Sequence, residues 1–494
     1  MNPNNTDDYQ PVTSAFAHKV PAKIKGAYAI GAASETIFTT AFNTFNFFFY
    51  TNLLGLSGTL AGLAITIGLF LDAITDPLVG AISDRWQSRM GRRHPFMFVA
   101  PIPVMLCLFF LYSPPADLGQ TGLFIWLAVT AVVMRSCFTL FHVPHLALGA
   151  ELSSDFYERT RVMSLNTLCA AGGAALIYFV GLSVFFKSTP EFSNGLMNIG
   201  AYSGFALTAA LLGGSIMFFS AFFTREVIPK LPQPKLGGPT FSVKAFMGDL
   251  KEAFQNRNYL MFLIGYVFVS ATLGTKETIS IHMSTYYWEL ASEQIRFYAI
   301  PLIVGPIIGY FITVHLHRRF DKKPTMIGAL TTLSIFAAIP VTCRILDIYP
   351  ANHSPYLFPL LFINYLIYMM AGSVLLITAM SALADIADEH ELNTRRRQEG
   401  IFYSARSFFG KASSGLGHLL AGIALDLIAF PVGTDPGTVP EEKVHMLGIV
   451  DGPLAALPVA ISIIFYYQYR LTRKKHREIQ TTLKERHKTD AATA

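Results

Sequence analysis

About a dozen apolar stretches run through this chain, each near the roughly 20 residues that a helix needs to cross a bilayer. They cover approximately 26–53, 59–83, 95–113, 121–150, 163–187, 200–224, 259–288, 297–316, 325–345, 356–386, 401–430 and 446–469. Inside hydrocarbon no water satisfies backbone N–H and C=O groups, so stretches of this length must be helical. The expected fold class is therefore all-α, a polytopic membrane protein of twelve transmembrane helices. Only 14% of residues are charged, against about 25% in a soluble chain. Residues 1–25 are polar and lack the apolar core of a secretory signal, so no cleavable leader is expected.

Orientation follows from the basic residues. Of 38 Lys and Arg, 30 fall in alternate connections and the two ends, four in the opposite connections and four within the apolar stretches. Positive charge stays inside, so both termini are expected in the cytoplasm, with the chain in the inner (plasma) membrane. The net charge of +6 then reflects topology, with the lipid bilayer as partner and no nucleic acid. Cys107, Cys137, Cys169 and Cys343 are scattered in or beside apolar stretches, without metal or CxxC spacing.

The one long internal connection, 225–258, opens rich in Pro and Gly and closes on "SVKAFMGDLKEAFQNRN", where apolar residues recur at helical spacing. It separates a six-helix half at 1–224 from a second at 259–494 that ends in a basic tail. Each half follows its second span with a basic loop, "DRWQSRMGRRHP" and "HRRFDKKP". Two parallel repeats of this kind build carriers whose solute site lies at mid-membrane between the halves.

An ionisable side chain near the bilayer centre costs roughly 2.5–3.5 kcal/mol on insertion scales, which makes it a functional candidate. Glu35, Asp72, Asp76 and Glu277 stand against Arg135, Lys276, Arg406 and Lys411. Asp72 and Asp76 are four apart and share one helix face. So close, they resist joint ionisation unless a cation lies between them or one is protonated, as a coupling site for Na⁺ or H⁺ requires. A salt bridge to Lys411 or Arg406 that only fixes packing is the alternative. Arg135 and His142, seven apart with Thr139 beside them, share nearly one face of the fourth span. Lys276 and Glu277 are adjacent and cannot both face one spot. In the 84–94 loop, Asp84, Arg85, Arg92 and Arg93 are expected to form a cytoplasmic gate with acids at helix ends such as Glu151, Asp385 or Asp388.

"DAITDPLVGAISDRWQSRMGRRHP", "FHVPHLALGAELSSDFYERTRV", "ALADIADEHELNTRRRQEGIFYSARSFFGKASSG" and "GAASETIFTTAFNTFNFFFYTNLLGLSG" together resemble the glycoside–pentoside–hexuronide:cation symporters, the melibiose-carrier group of the major facilitator superfamily. The resemblance runs from about residue 25 to 485. It implies a cation site at Asp72 and Asp76, with Thr139 as the fourth-helix threonine and Lys411 as the eleventh-helix coupling lysine. Thr75 stands where the melibiose carrier has Asn, which leaves Na⁺ against H⁺ open. The sugar site carries over poorly. Thr36 (with Glu35 beside it) and His142 replace acids, Asn166 replaces an arginine, and Leu146 and Leu376 replace aromatic residues. The residues expected to face the solute are Glu35, Thr36, Arg135, His142, Asn166, Lys276 and Arg406.

The resemblance implies a monomeric secondary transporter that carries a sugar, glycoside or uronide with Na⁺ or H⁺ by alternating access, using no cofactor beyond that ion. "FHVP" also resembles the animal lysophosphatidylcholine carrier, so an amphiphile is the alternative solute. A receptor that no longer transports would be expected to lose the paired acids. No HExxH, nucleotide loop or Ser/His/Asp arrangement points to an enzyme.

Overall fold

The computed structural model describes residues 14–16, 19–231, 243–396 and 399–493, and among these it is helical with no named strand. The long helices in chain order are α1 (Ala22–Phe48), α2 (Gly58–Arg85), α3 (His94–Leu111), α4 (Gln120–Leu152), α5 (Tyr157–Phe185) and α6 (Ile199–Lys230). After the middle connection come α7 (Arg257–Tyr287), α8 (Ser292–Arg319), α9 (Lys322–Ile345), α10 (Leu357–Thr394), α11 (Glu399–Ile428), α12 (Glu441–Tyr467) and the tail helix α13 (Arg473–Thr493). A short helix, Val243–Gln255, forms where the connection showed helical spacing. Most of the Pro- and Gly-rich segment before it lies outside the described residues.

Ten of these helices, α2 to α10 and α12, are long and apolar enough to cross a membrane. The 27-residue α1 and 30-residue α11 have the length but carry more polar side chains. Several of those face protein: Ser34 and Asn46 on α1 and Ser413 and His418 on α11 are all under 4% exposed. These helices are polar because their polar faces line the interior of the bundle.

Small residues bring α2 and α11 into backbone contact, as is usual where helices pack in lipid. A Cβ added at Gly422 would stand 2.0 Å from the Gly58 carbonyl oxygen, and one at Gly62 would stand 2.6 Å from that of His418. Thr66 donates to the Gly415 carbonyl at 2.6 Å. Asp426 of α11 also caps α2, accepting from the backbone of Gly58 at 2.7 Å and Thr59 at 2.8 Å and from the Ser57 hydroxyl at 2.5 Å. A carboxylate on unpaired N-terminal N–H groups, at the positive end of the helix dipole, is a favourable anchor. It sets the register that brings Lys411 opposite the middle of α2.

At the end of the bundle away from the chain termini, α1 and α7 each finish in a π-helical turn, Phe49–Leu53 and Met283–Tyr287. The turns meet there: Tyr286 donates to Asn52 at 2.9 Å, and Thr51 lies 3.3 Å from His282. At the other end a pairing recurs. Arg93, after α2, pairs with Glu151 at the end of α4, and Lys322, after α8, pairs at 2.6 Å with Asp385 near the end of α10. The tail helix docks beside the second pair through Lys475–Glu389 at 2.8 Å and His476–Asp388 at 2.9 Å.

Candidate cation and solute site

Asp72 and Asp76 lie one turn apart on α2, the first 5% exposed and the second half-buried. Pro77, next in the chain, has no N–H for the Ala73 carbonyl, so the helix ladder is interrupted beside the acids. Lys411 of α11 donates to Asp72 Oδ2 at 2.9 Å and also to Asp76. On their other oxygens, Thr139 Oγ1 of α4 lies 2.8 Å from Asp72 and 3.1 Å from Asp76. A hydroxyl has one proton, so it donates to one carboxylate at a time. Thr75 stands apart, its hydroxyl bonded back to the Asp72 backbone carbonyl at 3.3 Å.

Arg135, one turn before Thr139, adds a second cation. Its Nη1 lies 3.5 Å from Asp72, its Nη2 donates to Asn43 at 3.1 Å, and its guanidinium sits 4.8 Å from the centre of the Phe42 ring. Glu277 of α7 lies beside Asn43. Contacts thus run from Asp72 through Arg135 to Asn43 and join α2, α4 and α1. Two carboxylates facing two cations leave the pair locally balanced, the condition under which buried charge is tolerated.

A second group lies farther along α4. His142 Nδ1 and His145 Nδ1 each lie 2.9 Å from one oxygen of Glu35 on α1, and His145 Nε2 lies 2.8 Å from the Tyr28 carbonyl. His145 is 1% exposed. The sequence reading missed it, although it stands three residues after His142 on the same face.

The remaining expected solute residues are scattered. Thr36 donates to the Ala170 carbonyl of α5 at 2.6 Å and serves the α1–α5 contact. Lys276 spends its ammonium on Asp451 of α12 at 2.8 Å and on the carbonyls of Asp451 and Ala337. Asp451, five residues into the last apolar stretch, was legible there and went unread. Arg406 donates to the Tyr266 hydroxyl at 2.6 Å. Lys276 and Arg406 are thus engaged away from Asp72 and Asp76. Asn166 Oδ1 is buried with no hydrogen-bond partner among the described residues.

At the loop of residues 84–94, Arg92 lies 2.5 Å from Glu151, Arg93 donates to Glu151 at 3.0 Å through Nε, and Arg93 lies 3.1 Å from Asp84. Arg85 closes α2. Of the three acids expected as latch partners, Glu151 is the one engaged here, since Asp385 and Asp388 pair with Lys322 and His476.

A helical bundle of this kind has known counterparts. The model of the MFS/sugar transport protein family matches residues 27–473. The chain belongs to that family. An uncharacterized symporter of Synechocystis is 25% identical over 96% of this chain and 98% of its own. The glucuronide carrier protein homolog of Escherichia coli is 22% identical over 93% and 95%. The sodium-dependent lysophosphatidylcholine symporter 1 of Gallus gallus is 25% identical over 96% and 92%. The crystal structure of a D-xylose-proton symporter superposes with a TM-score of 0.62 at 12% identity, covering 91% of this chain and 98% of that one, and so shares the fold. The protein is a membrane transporter of the major facilitator type.

Proposed function

We propose that this transporter is a secondary symporter that couples entry of Na⁺ or H⁺ to movement of a small solute, most simply a sugar, glycoside or uronide. In this reading α1 and α11 also cross the membrane, giving two six-helix halves with both termini cytoplasmic, in the inner (plasma) membrane. The repeated Arg93–Glu151 and Lys322–Asp385 pairings support the two halves.

One observation carries the reading: Lys411 of the second half holds both Asp72 and Asp76 of the first. The two carboxylates and the Thr139 hydroxyl form an oxygen donor set suited to a hard cation. A cation entering there competes with the Lys411 ammonium. Its arrival releases Lys411 from the pair, so cation occupancy and the arrangement of α11 beside α2 bias one another, which is what coupling requires.

A second solute class has its own support. Leu146 and Leu376, each 52% exposed, are the positions where the resemblance to the sugar carriers implies aromatic residues. Thr36 and Lys276 are also committed to protein partners. An amphiphile such as a lysophospholipid suits those surfaces, and a relative is named for one. The deciding experiment is a thermal-shift screen of the purified protein against sugars, uronides and lysolipids, with and without Na⁺. Stabilisation by a sugar or uronide that grows with Na⁺ or acid supports the first reading. Stabilisation by lysolipids alone replaces it with the second, and no response to either rejects both.

A further inference from the structure

The Glu35 group raises a question of proton counting that the carboxylate pair does not. Three close contacts connect it: His142 Nδ1 to Glu35, His145 Nδ1 to Glu35, and His145 Nε2 to the Tyr28 carbonyl. Carboxylate and carbonyl oxygens only accept, so each contact needs a hydrogen. A neutral imidazole has one N–H. With an ionised Glu35, neutral His142 serves the first contact and neutral His145 serves the carbonyl. Nothing is left for the contact between His145 Nδ1 and Glu35 at 2.9 Å, where two lone pairs would face each other. One further proton closes it, whether it rests on the imidazole or on the carboxyl.

We propose that Glu35, His142 and His145 form a proton-binding site, separate from Asp72 and Asp76, that holds one proton in this arrangement and releases it when α1 and α4 part. The acid belongs to α1 and both histidines to α4, so separation of those helices breaks the bonds that retain the proton. Among the described residues, Glu35 is the one charged group paired with His145. Tyr28 of α1 presents its carbonyl and directs its hydroxyl toward Met163 of α5, and Ser220 of α6 is a neutral neighbour. His142 lies within electrostatic reach of Asp76 of α2 and Lys411 of α11. The charge state of this site is therefore felt at the cation pair. A carrier with both sites can respond to a proton gradient even when another cation occupies Asp72 and Asp76.

The test needs no solute, so it is independent of the transport assignment. Melting temperature of the purified full-length protein is followed from about pH 7 to about pH 9, where a histidine in the unfolded chain has already lost its proton. A native state holding one extra proton loses stability as pH rises, by about tenfold in the unfolding equilibrium per pH unit. Glu35→Gln offers one acceptor and one donor in place of the carboxylate and completes all three contacts without the extra proton. Its melting temperature should fall less steeply with pH than the parent's. If Glu35→Gln is not obtained folded, His145→Gln takes its place with the same expectation. A parental slope in the Glu35 or His145 variant overturns the proposal.

Discussion

Replacing Lys411 by Ala removes the ammonium that holds Asp72 at 2.9 Å and also holds Asp76. At that distance and an effective dielectric of about 20, one such pair is worth about 6 kcal/mol before solvation is counted. Desolvation opposes this, and the Lys411 side chain is 25% exposed, which screens it further. A net effect of about 3 kcal/mol, the low end for breaking a buried pair, is a reasonable scale. Arg135, at 3.5 Å from Asp72, does not touch Asp76 and cannot replace the lost charge. An added cation then has no resident ammonium to displace, so its affinity for the site should rise by about 100-fold. Coupling should shrink at the same time, because the element that responded to cation binding is gone. The assay is calorimetric or thermal-shift titration of Na⁺, alone and with the best solute from the screen, in parent and Lys411→Ala protein. The reasoning predicts tighter cation binding and a sharply reduced mutual enhancement between ion and solute. Parental cation affinity with parental enhancement would make Lys411 a packing residue and refute it.

Three further outcomes follow from individual contacts. Thr139→Ala removes a hydroxyl that serves two carboxylates, a charged hydrogen bond worth about 1.5–3 kcal/mol, and should weaken Na⁺ binding by at least about tenfold in the same titration. Arg93→Ala leaves Glu151 with Arg92 and lies far from the carboxylate pair. Transport turnover should change while solute affinity stays within about twofold, so a change confined to affinity would count against a gating role. Lys276→Ala strands Asp451 without its ammonium and should cost about 3 kcal/mol, read as a clear drop in melting temperature. An unchanged value would mean the pair contributes nothing to stability.

The fold was legible because the bilayer imposes one strong rule. Apolar stretches must become helices there, and α2 to α10 and α12 follow it. The polar faces of α1 and α11 were legible as intramembrane charges, and Asp72 and Asp76 as neighbours on one face. Their partners were not, since Lys411 lies 335 positions beyond Asp76 in the chain and no local period connects them. The link came from motif resemblance. Lys276 and Arg406 were read with the central acids on residue type alone. Charge inside a membrane demands a partner without saying which one, and Asp451 and Tyr266 took them. His145 was overlooked because a histidine beside a proline in an apolar stretch reads as packing. Only the meeting of α4 with α1 reveals the acid it faces.

The claim that Asp72 and Asp76 couple a cation to the solute is tested most directly by Asp76→Asn in proteoliposomes. The neutral side chain keeps the shape and the Thr139 contact while removing one charge from the pair. With the solute found in the screen, the account predicts that uptake against a concentration gradient, driven by Na⁺ or H⁺, is abolished. Exchange of labelled for unlabelled solute, which needs no gradient, should persist at a measurable rate. Concentrative uptake by Asp76→Asn equal to that of the parent would contradict the assignment.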